Sequence, residues 1–193
     1  MESLTSGTLA GTGSFRCEEC GYVVTLAASD ALPDCPGCGG AHFTRASLFG
    51  AATRFSQPAP APLADEDRDR WIVRARARAS APGEHLAYED GGRIVTVPLT
   101  KEWTRVGRSL AADVRFDDPT VSRRHALIVR QPDGVRVLDD RSLNGVFVNG
   151  ERVDWRGLRD GDEIVVGRYR LHFVVMTAQE AALAPAAELR TAS

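Results

Sequence analysis

The second half of the chain alternates apolar and polar residues in short segments separated by turn residues. A period of two is typical of strands with one buried face. Residues 86–88 and 93–99, joined by the turn 89–92, predict a β-hairpin. Further strands are predicted at 104–106, 114–116, 126–131, 135–139, 146–148, 151–153, 163–166 and 169–175. We therefore predict a mostly β fold, an antiparallel β-sandwich, for which about 90 residues suffice as one core.

Residues 65–80 carry two patterns. Asp65 and the acidic residues after it favour a helix start, with Glu66 and Arg70 spaced i,i+4. Trp71–Val73, followed by arginines that alternate with alanine, also fits a strand with one charged face. We predict a helix at the acidic end and leave the remainder open.

Composition changes divide the chain into five segments. Gln57–Pro62 alternates proline with small residues and predicts a stiff linker. We expect a disordered start at 1–13, a four-cysteine module at 14–47, a linker with a possible helix or strand at 48–84, the sandwich at 85–176, and a flexible tail at 177–193.

All four cysteines lie within 22 residues of one another in two C-x2-C-G knuckles, Cys17–Gly21 and Cys35–Gly39. Two such knuckles supply the four thiolates of a closed tetrahedral site. We therefore predict a structural Zn²⁺ held by Cys17, Cys20, Cys35 and Cys38. The alternative is a one-electron iron site, because the same four thiolates also bind iron.

Charge and hydropathy exclude some functions. The 24 basic and 26 acidic residues give a net charge of −2, so the composition provides no overall attraction to nucleic acid or membrane. No apolar run reaches the length of a transmembrane helix, and the start lacks the features of a secretory signal. We expect a cytoplasmic protein without a membrane partner. We find no P-loop, nucleophile elbow or HExxH motif, and we expect no enzyme activity.

Several short motifs follow one another in the predicted sandwich: Gly107-Arg108, Ser122-Arg123-Arg124-His125, Ser142-Leu143-Asn144-Gly145 and Val148-Asn149-Gly150. In this order, between short strands, they resemble the forkhead-associated (FHA) domain, which binds phosphothreonine on partner proteins. The resemblance implies that Arg108 and Ser122 bind phosphate, that Arg123 assists, and that Asn144 binds the peptide backbone. It implies architectural roles for Gly107, His125, Asn149 and Gly150.

Two positions depart from the family pattern. Leu143 stands where the family often has Thr before the peptide-binding Asn, and Val146 stands where Thr usually follows Asn-Gly. Leu143 removes a hydroxyl that often helps to hold the phosphopeptide, so this departure leaves open whether phosphate binding is weakened and does not concern the fold.

Residues 15–45 resemble bacterial zinc-ribbon modules, through Leu32–Gly39 and Phe43. Together, the two resemblances imply an adaptor that binds phosphothreonine proteins, the substrates of a Ser/Thr kinase. The alternative is a ribbon that contacts nucleic acid or transcription machinery beside a phosphate-independent FHA scaffold. Few basic residues on the ribbon argue against nucleic acid. Thr5 and Thr8 suggest a further hypothesis, in which the phosphorylated start of the chain occupies the protein's own site.

Overall fold

The computed structural model describes residues 3–46, 64–79 and 81–183. The predicted linker Gln57–Pro62 and most of the predicted tail lie outside these residues. The described part consists of an N-terminal four-stranded ribbon, one helix and a two-sheet sandwich.

The ribbon contains four antiparallel strands, in the spatial order β1-β4-β2-β3. They are β1 (Ser3–Thr5), β2 (Gly13–Cys17), β3 (Val23–Leu26) and β4 (His42–Arg45). A small core, including Phe15, Leu26, Leu32 and Phe43, packs beside the cysteines. This order leaves β3 at one edge of the sheet and β1 at the other.

The start of the chain differs from the sequence-based expectation of disorder. Residues 3–5 form β1, which pairs with β4 from Ser3↔Thr44 to Thr5↔His42. Leu4 packs partly buried against the ribbon core. The polar composition of residues 3–5 does not predict a strand. One apolar side chain and backbone pairing to an existing sheet are enough to order it.

Residues 65–76 form helix α1 (Asp65–Arg76), which settles the ambiguous segment as a helix rather than a strand. Acidic residues in its first turn and arginines in its last turn match the helix dipole. Ile72 and Ala75 are buried, and Trp71 stacks at 4.4 Å on the ring of His172 in the sandwich.

The sandwich contains a five-stranded sheet, ordered β13-β10-β9-β7-β8, and a six-stranded sheet, ordered β12-β11-β14-β15-β5-β6. Its strands are β5 (Gly83–Asp90), β6 (Arg93–Pro98), β7 (Trp103–Gly107), β8 (Val114–Arg115), β9 (Ala126–Gln131), β10 (Gly134–Asp139), β11 (Val146–Val148), β12 (Glu151–Val153), β13 (Trp155–Gly157), β14 (Glu163–Val166) and β15 (Tyr169–Met176). Seventeen buried apolar residues from both sheets form one core, which confirms the predicted fold class.

Two details differ from the predicted sandwich. Strands β7 and β8 pair in parallel, with Val106 opposite Val114 and Gly107 opposite Arg115, because the intervening loop crosses over instead of forming a hairpin. Strand β13 was not predicted, since three residues with one exposed Trp give no measurable alternation; it pairs with β10.

The chain after the sandwich begins with helix α2 (Ala178–Leu183). Thr177 Oγ1 accepts a hydrogen bond from the Glu180 amide at 3.2 Å, and Glu180 Oε2 accepts one from the Thr177 amide at 2.8 Å. This reciprocal cap fixes the helix start. Across the residues that the structure describes, no helix is both long and apolar enough to cross a bilayer.

Candidate functional site

Gly107 ends β7 where two loops meet at one end of the sandwich. The Arg108 amide donates to the Ser122 carbonyl at 3.0 Å, and the Ser109 amide donates to the Arg123 carbonyl at 3.1 Å. A Cβ at position 107 would lie 2.4 Å from the Arg123 carbonyl oxygen. Glycine is therefore required here by the close approach of two backbones, which places Arg108 beside Ser122 and Arg123.

The buried His125 connects the loop that carries Ser122 to the β10–β11 loop. Its Nδ1 accepts a hydrogen bond from the Ser122 amide at 3.0 Å, and its Nε2 lies 3.1 Å from the Gly145 carbonyl. Because Nδ1 accepts, Nε2 carries the proton in the neutral ring. Burial lowers the pKa of His125, so the ring is neutral near pH 7 and acts as a bridge between loops.

The loop that positions Asn144 is braced by its own side chains. Asp139 Oδ1 accepts from the Ser142 amide at 2.6 Å, and Ser142 Oγ accepts from the Gly145 amide at 2.8 Å. The Leu143 amide donates to Ser122 Oγ at 3.1 Å. These bonds fix a buried Asn144 amide group between the loops, while Leu143 remains exposed.

Ser122 and Arg123 leave hydrogen-bonding capacity at the rim of these loops. Ser122 Oγ accepts from Leu143, so its own hydroxyl hydrogen can still be donated. The exposed Arg123 forms no ion pair among the residues described, whereas its neighbour Arg124 binds Asp140 through two bonds of 2.7 and 2.8 Å. A hydroxyl and a guanidinium at a loop rim can bind a dianion.

Asp118 and Thr120 are functional neighbours that the sequence reasoning missed. Asp118 Oδ1 accepts from the amide and the hydroxyl of Thr120 at 2.8 and 2.6 Å, and Asp118 Oδ2 pairs with Arg168 at 2.7 Å. The Thr120 carbonyl accepts from Asn144 Nδ2 at 3.1 Å. An Asp-x-Thr pair in a predicted loop is a recognisable turn signal and could have identified them.

Asn149 and Gly150 lie in the β11–β12 turn. Their φ values of 51° and 80° give the two-residue hairpin that Asn-Gly predicts. Asn149 also anchors the start of β14, because its Nδ2 donates to Asp162 at 2.8 Å and its Oδ1 accepts from the Glu163 amide at 2.9 Å. Val146 is fully buried in the core.

The N-terminal ribbon contacts these same loops through β3. Asn144 Oδ1 accepts from the Val23 amide at 3.0 Å, and Asn144 Nδ2 donates to the Val23 carbonyl at 2.7 Å. Arg108 donates to the Thr25 carbonyl at 2.6 Å, and the Thr25 amide donates to the Pro119 carbonyl at 2.8 Å. No pattern in the amino-acid sequence predicted this contact.

The four cysteines form the second candidate site. Their sulfurs all lie within 4.8 Å of one another, with Cys17–Cys38 at 3.7 Å and Cys20–Cys35 at 3.4 Å. A tetrahedral ZnS₄ centre with bonds of about 2.3 Å separates its sulfurs by about 3.8 Å. The donor set and its spacing therefore fit Zn²⁺.

The fold is a two-sheet β-sandwich preceded by a ribbon that carries four clustered cysteines. Residues 104–167 match the family model of the FHA domain, and residues 1–47 match a zinc-ribbon containing domain. One segment of the chain therefore matches an FHA domain and its N-terminal segment matches a zinc ribbon, which confirms both resemblances.

Curated relatives are similar to part of this chain. The chain is 46% identical over 76 residues to an oxoglutarate dehydrogenase inhibitor of Corynebacterium jeikeium, which is 39% of this chain and 53% of that protein. It is 45% identical over 76 residues to the glycogen accumulation regulator GarA of Mycobacterium tuberculosis, covering 39% and 47%. The chain thus spans about half the length of these relatives.

Two solved structures are similar to about half of this chain. EmbR of Mycobacterium tuberculosis, in complex with a low-affinity phosphopeptide, is 32% identical with a TM-score of 0.47, covering 56% of this chain and 29% of that one. The FHA domain of a Chlamydia trachomatis protein is 25% identical with a TM-score of 0.47, covering 49% and 99%.

Proposed function

We propose that the loops around Asn144 bind phosphothreonine-containing segments of partner proteins, and that the chain is a non-catalytic adaptor in Ser/Thr kinase signalling. The observation that carries this proposal is the placement of four recognition residues, Arg108, Ser122, Arg123 and Asn144, on loops that backbone hydrogen bonds hold together at one end of the sandwich.

The phosphate half of the site consists of Ser122 and Arg123, with Arg108 beside them. A phosphate near pH 7 carries up to two negative charges and three acceptor oxygens, and it needs charged donors on a fixed frame. The frame is supplied by Gly107 and His125, since the first permits the close approach of the loops and the second links them.

The backbone half of the site consists of Asn144. A carboxamide presents one acceptor and one donor side by side, so it can pair with the amide and the carbonyl of a single residue of an extended segment. Asn144 already forms this paired contact with Val23. An extended phosphopeptide would be held through the same two atoms.

Zinc supports this function structurally. Bound by Cys17, Cys20, Cys35 and Cys38, a Zn²⁺ ion would hold the two knuckles together. Four thiolates leave no coordination position for a substrate, so the ion would serve the fold rather than catalysis. A purified protein that is colourless and contains one zinc per chain would exclude the alternative of an iron site.

The test is fluorescence-polarisation binding of a degenerate phosphothreonine peptide pool to the full chain. Arg123→Ala should weaken the binding of the phosphothreonine pool at least tenfold, because a charge-assisted bond to phosphate is lost. Arg124→Ala is the matched control, since Arg124 is already paired with Asp140, and its affinity should stay within about twofold of wild type.

Phosphoserine and unphosphorylated pools complete the measurement. The proposal requires the phosphothreonine pool to bind more tightly than both. Equal binding of phosphorylated and unphosphorylated pools, with no effect of Arg123→Ala, would contradict it.

A further inference from the structure

Strand β3 forms one edge of the ribbon sheet and pairs with β2 on one side only. An edge strand normally leaves every second amide and carbonyl unpaired, or it binds another segment. Here the open edge of β3 faces the loops of the sandwich, so this surface of the ribbon already has a partner within the same chain.

Successive residues of a strand direct their backbone groups to alternate sides. The residues of β3 that face the sandwich are Val23 and Thr25, and all four of their backbone groups form hydrogen bonds there: both groups of Val23 with Asn144, the Thr25 amide with Pro119, and the Thr25 carbonyl with Arg108. The sandwich therefore binds β3 as an extended backbone.

Side chains close the same contact. Val23 and Tyr22 are 5% and 8% exposed, and the Tyr22 ring lies against the second knuckle at Gly37. Tyr22, which precedes Val23, is thus buried against the second knuckle.

The contact occupies the proposed site only in part. It uses the Asn144 carboxamide of the backbone half and Arg108, which lies beside the phosphate half. In the part of the chain that the structure describes, no hydrogen bond joins the ribbon to the side chains of Ser122 or Arg123. A phosphate group could therefore still reach Ser122 and Arg123 while the backbone positions are taken.

From this geometry we infer that β3 of the zinc ribbon is an intramolecular, unphosphorylated ligand of the peptide-binding surface, and that a phosphothreonine partner displaces it. This inference rests on the proposed function of that surface. The apparent affinity for a partner is then the intrinsic affinity multiplied by the fraction of molecules in which the ribbon is undocked. Weak partners are therefore excluded, and partners with a well-placed phosphate are selected.

The test removes two of the four docking hydrogen bonds without removing a recognition residue or a ribbon ladder bond. Val23→Pro with Thr25→Pro deletes two amides that point toward the sandwich, and proline is tolerated on the open side of an edge strand. In the full chain this double variant should bind the phosphothreonine peptide pool at least tenfold more tightly than wild type, which corresponds to about 1.4 kcal/mol.

The matched control is Ala28→Pro, a proline placed two residues beyond β3. Ala28 is exposed at the second position of the turn 27–30, where proline fits. It should bind the pool like wild type. Both variants must retain one Zn²⁺ per chain. A metal-loaded double variant that binds no more tightly than wild type would overturn the inference.

Amide hydrogen exchange separates failure of this inference from failure of the proposed function. Without peptide, the Val23 and Thr25 amides should exchange slowly, and Asn144→Ala should accelerate the exchange at Val23. Rapid exchange of both amides in wild type would overturn docking, whatever the peptides do. Slow exchange together with no preference for phosphothreonine in any variant would contradict the proposed function alone.

Discussion

The sandwich and the ribbon are stabilised in different ways. Seventeen buried apolar residues form the sandwich core, whereas the ribbon core has eight buried residues, of which two are the cysteines Cys17 and Cys35. A unit of about 40 residues rarely folds on its own core and usually needs a metal or a cross-link. The loops around Asn144 thus stand on a self-sufficient frame, and we expect the ribbon that contacts them to depend on a metal for its fold.

The largest expected effect is therefore on the ribbon alone. Cys35→Ser, or removal of the metal with a chelator, should unfold the ribbon and leave the sandwich folded, because the sandwich core contains no ligand of the metal. Tryptophan fluorescence reports the sandwich and α1, since all three tryptophans lie outside residues 3–46. Cobalt substitution, followed by its visible absorption, reports the ribbon.

The metal-free chain should also bind the phosphothreonine pool more tightly than the zinc-loaded chain, because its β3 no longer forms a strand that can dock. Loss of the cobalt absorption and of the tryptophan signal in a single transition would contradict independent folding of the ribbon and the sandwich. In that case the two units would fold as one.

A moderate effect is expected from acid on the sandwich. Burial lowers the pKa of His172 to about 4 and also lowers that of His125. The unfolded chain then binds these protons first, so stability is complete above the ordinary histidine pKa of about 6.5 and falls as the pH drops from there to about 4. The His172 contribution is about 3 kcal/mol at the lower limit.

Urea unfolding at pH 7, 6 and 5, followed by tryptophan fluorescence, measures this loss. His172→Phe keeps an aromatic ring against Trp71 and should reduce the slope of stability against pH. His42→Gln, on the exposed surface of the ribbon, is the control and should leave the slope unchanged. A wild-type stability that is constant across this range would contradict the assignment of a neutral buried ring.

The smallest expected effect is a change in peptide affinity caused by substitution of Leu143 in the loop beside Asn144. Leu143→Thr restores a hydroxyl beside Asn144 at an exposed position. One additional hydrogen bond contributes about 0.5–1.5 kcal/mol, so the phosphothreonine pool should bind about 2- to 10-fold more tightly. Leu143→Val, which has a similar shape without the hydroxyl, should show no gain. An equal gain in both variants would attribute the effect to size rather than to the hydroxyl.

The parts of this molecule that the sequence predicted depend on short-range patterns. Two-residue alternation predicted most strands of the sandwich. The Asn-Gly pair predicted the turn at Asn149-Gly150, where both residues have positive φ values. The spacing within each knuckle predicted the sulfur cluster. Strands β1 and β13 were missed because β1 has a single apolar residue, Leu4, and β13 has an exposed Trp155, so neither shows apolar and polar alternation.

The contact between the two units was beyond this kind of prediction. Val23 and Asn144 are 121 positions apart, and Thr25 and Arg108 are 83 apart. Backbone atoms of β3 form the hydrogen bonds, so residue types hold little information about them. The hypothesis that Thr5 or Thr8 occupies the site stays untested, but β1, which contains Thr5, lies at the ribbon edge opposite β3.

The most direct test of the account is amide hydrogen exchange of the full zinc-loaded chain during titration with the phosphothreonine peptide pool. We expect the Val23 and Thr25 amides to lose protection as peptide binds, while the Phe15 amide in the central strand β2 keeps its protection. Saturating peptide binding with unchanged protection at Val23 and Thr25 would contradict it, because peptide and β3 would then occupy different surfaces.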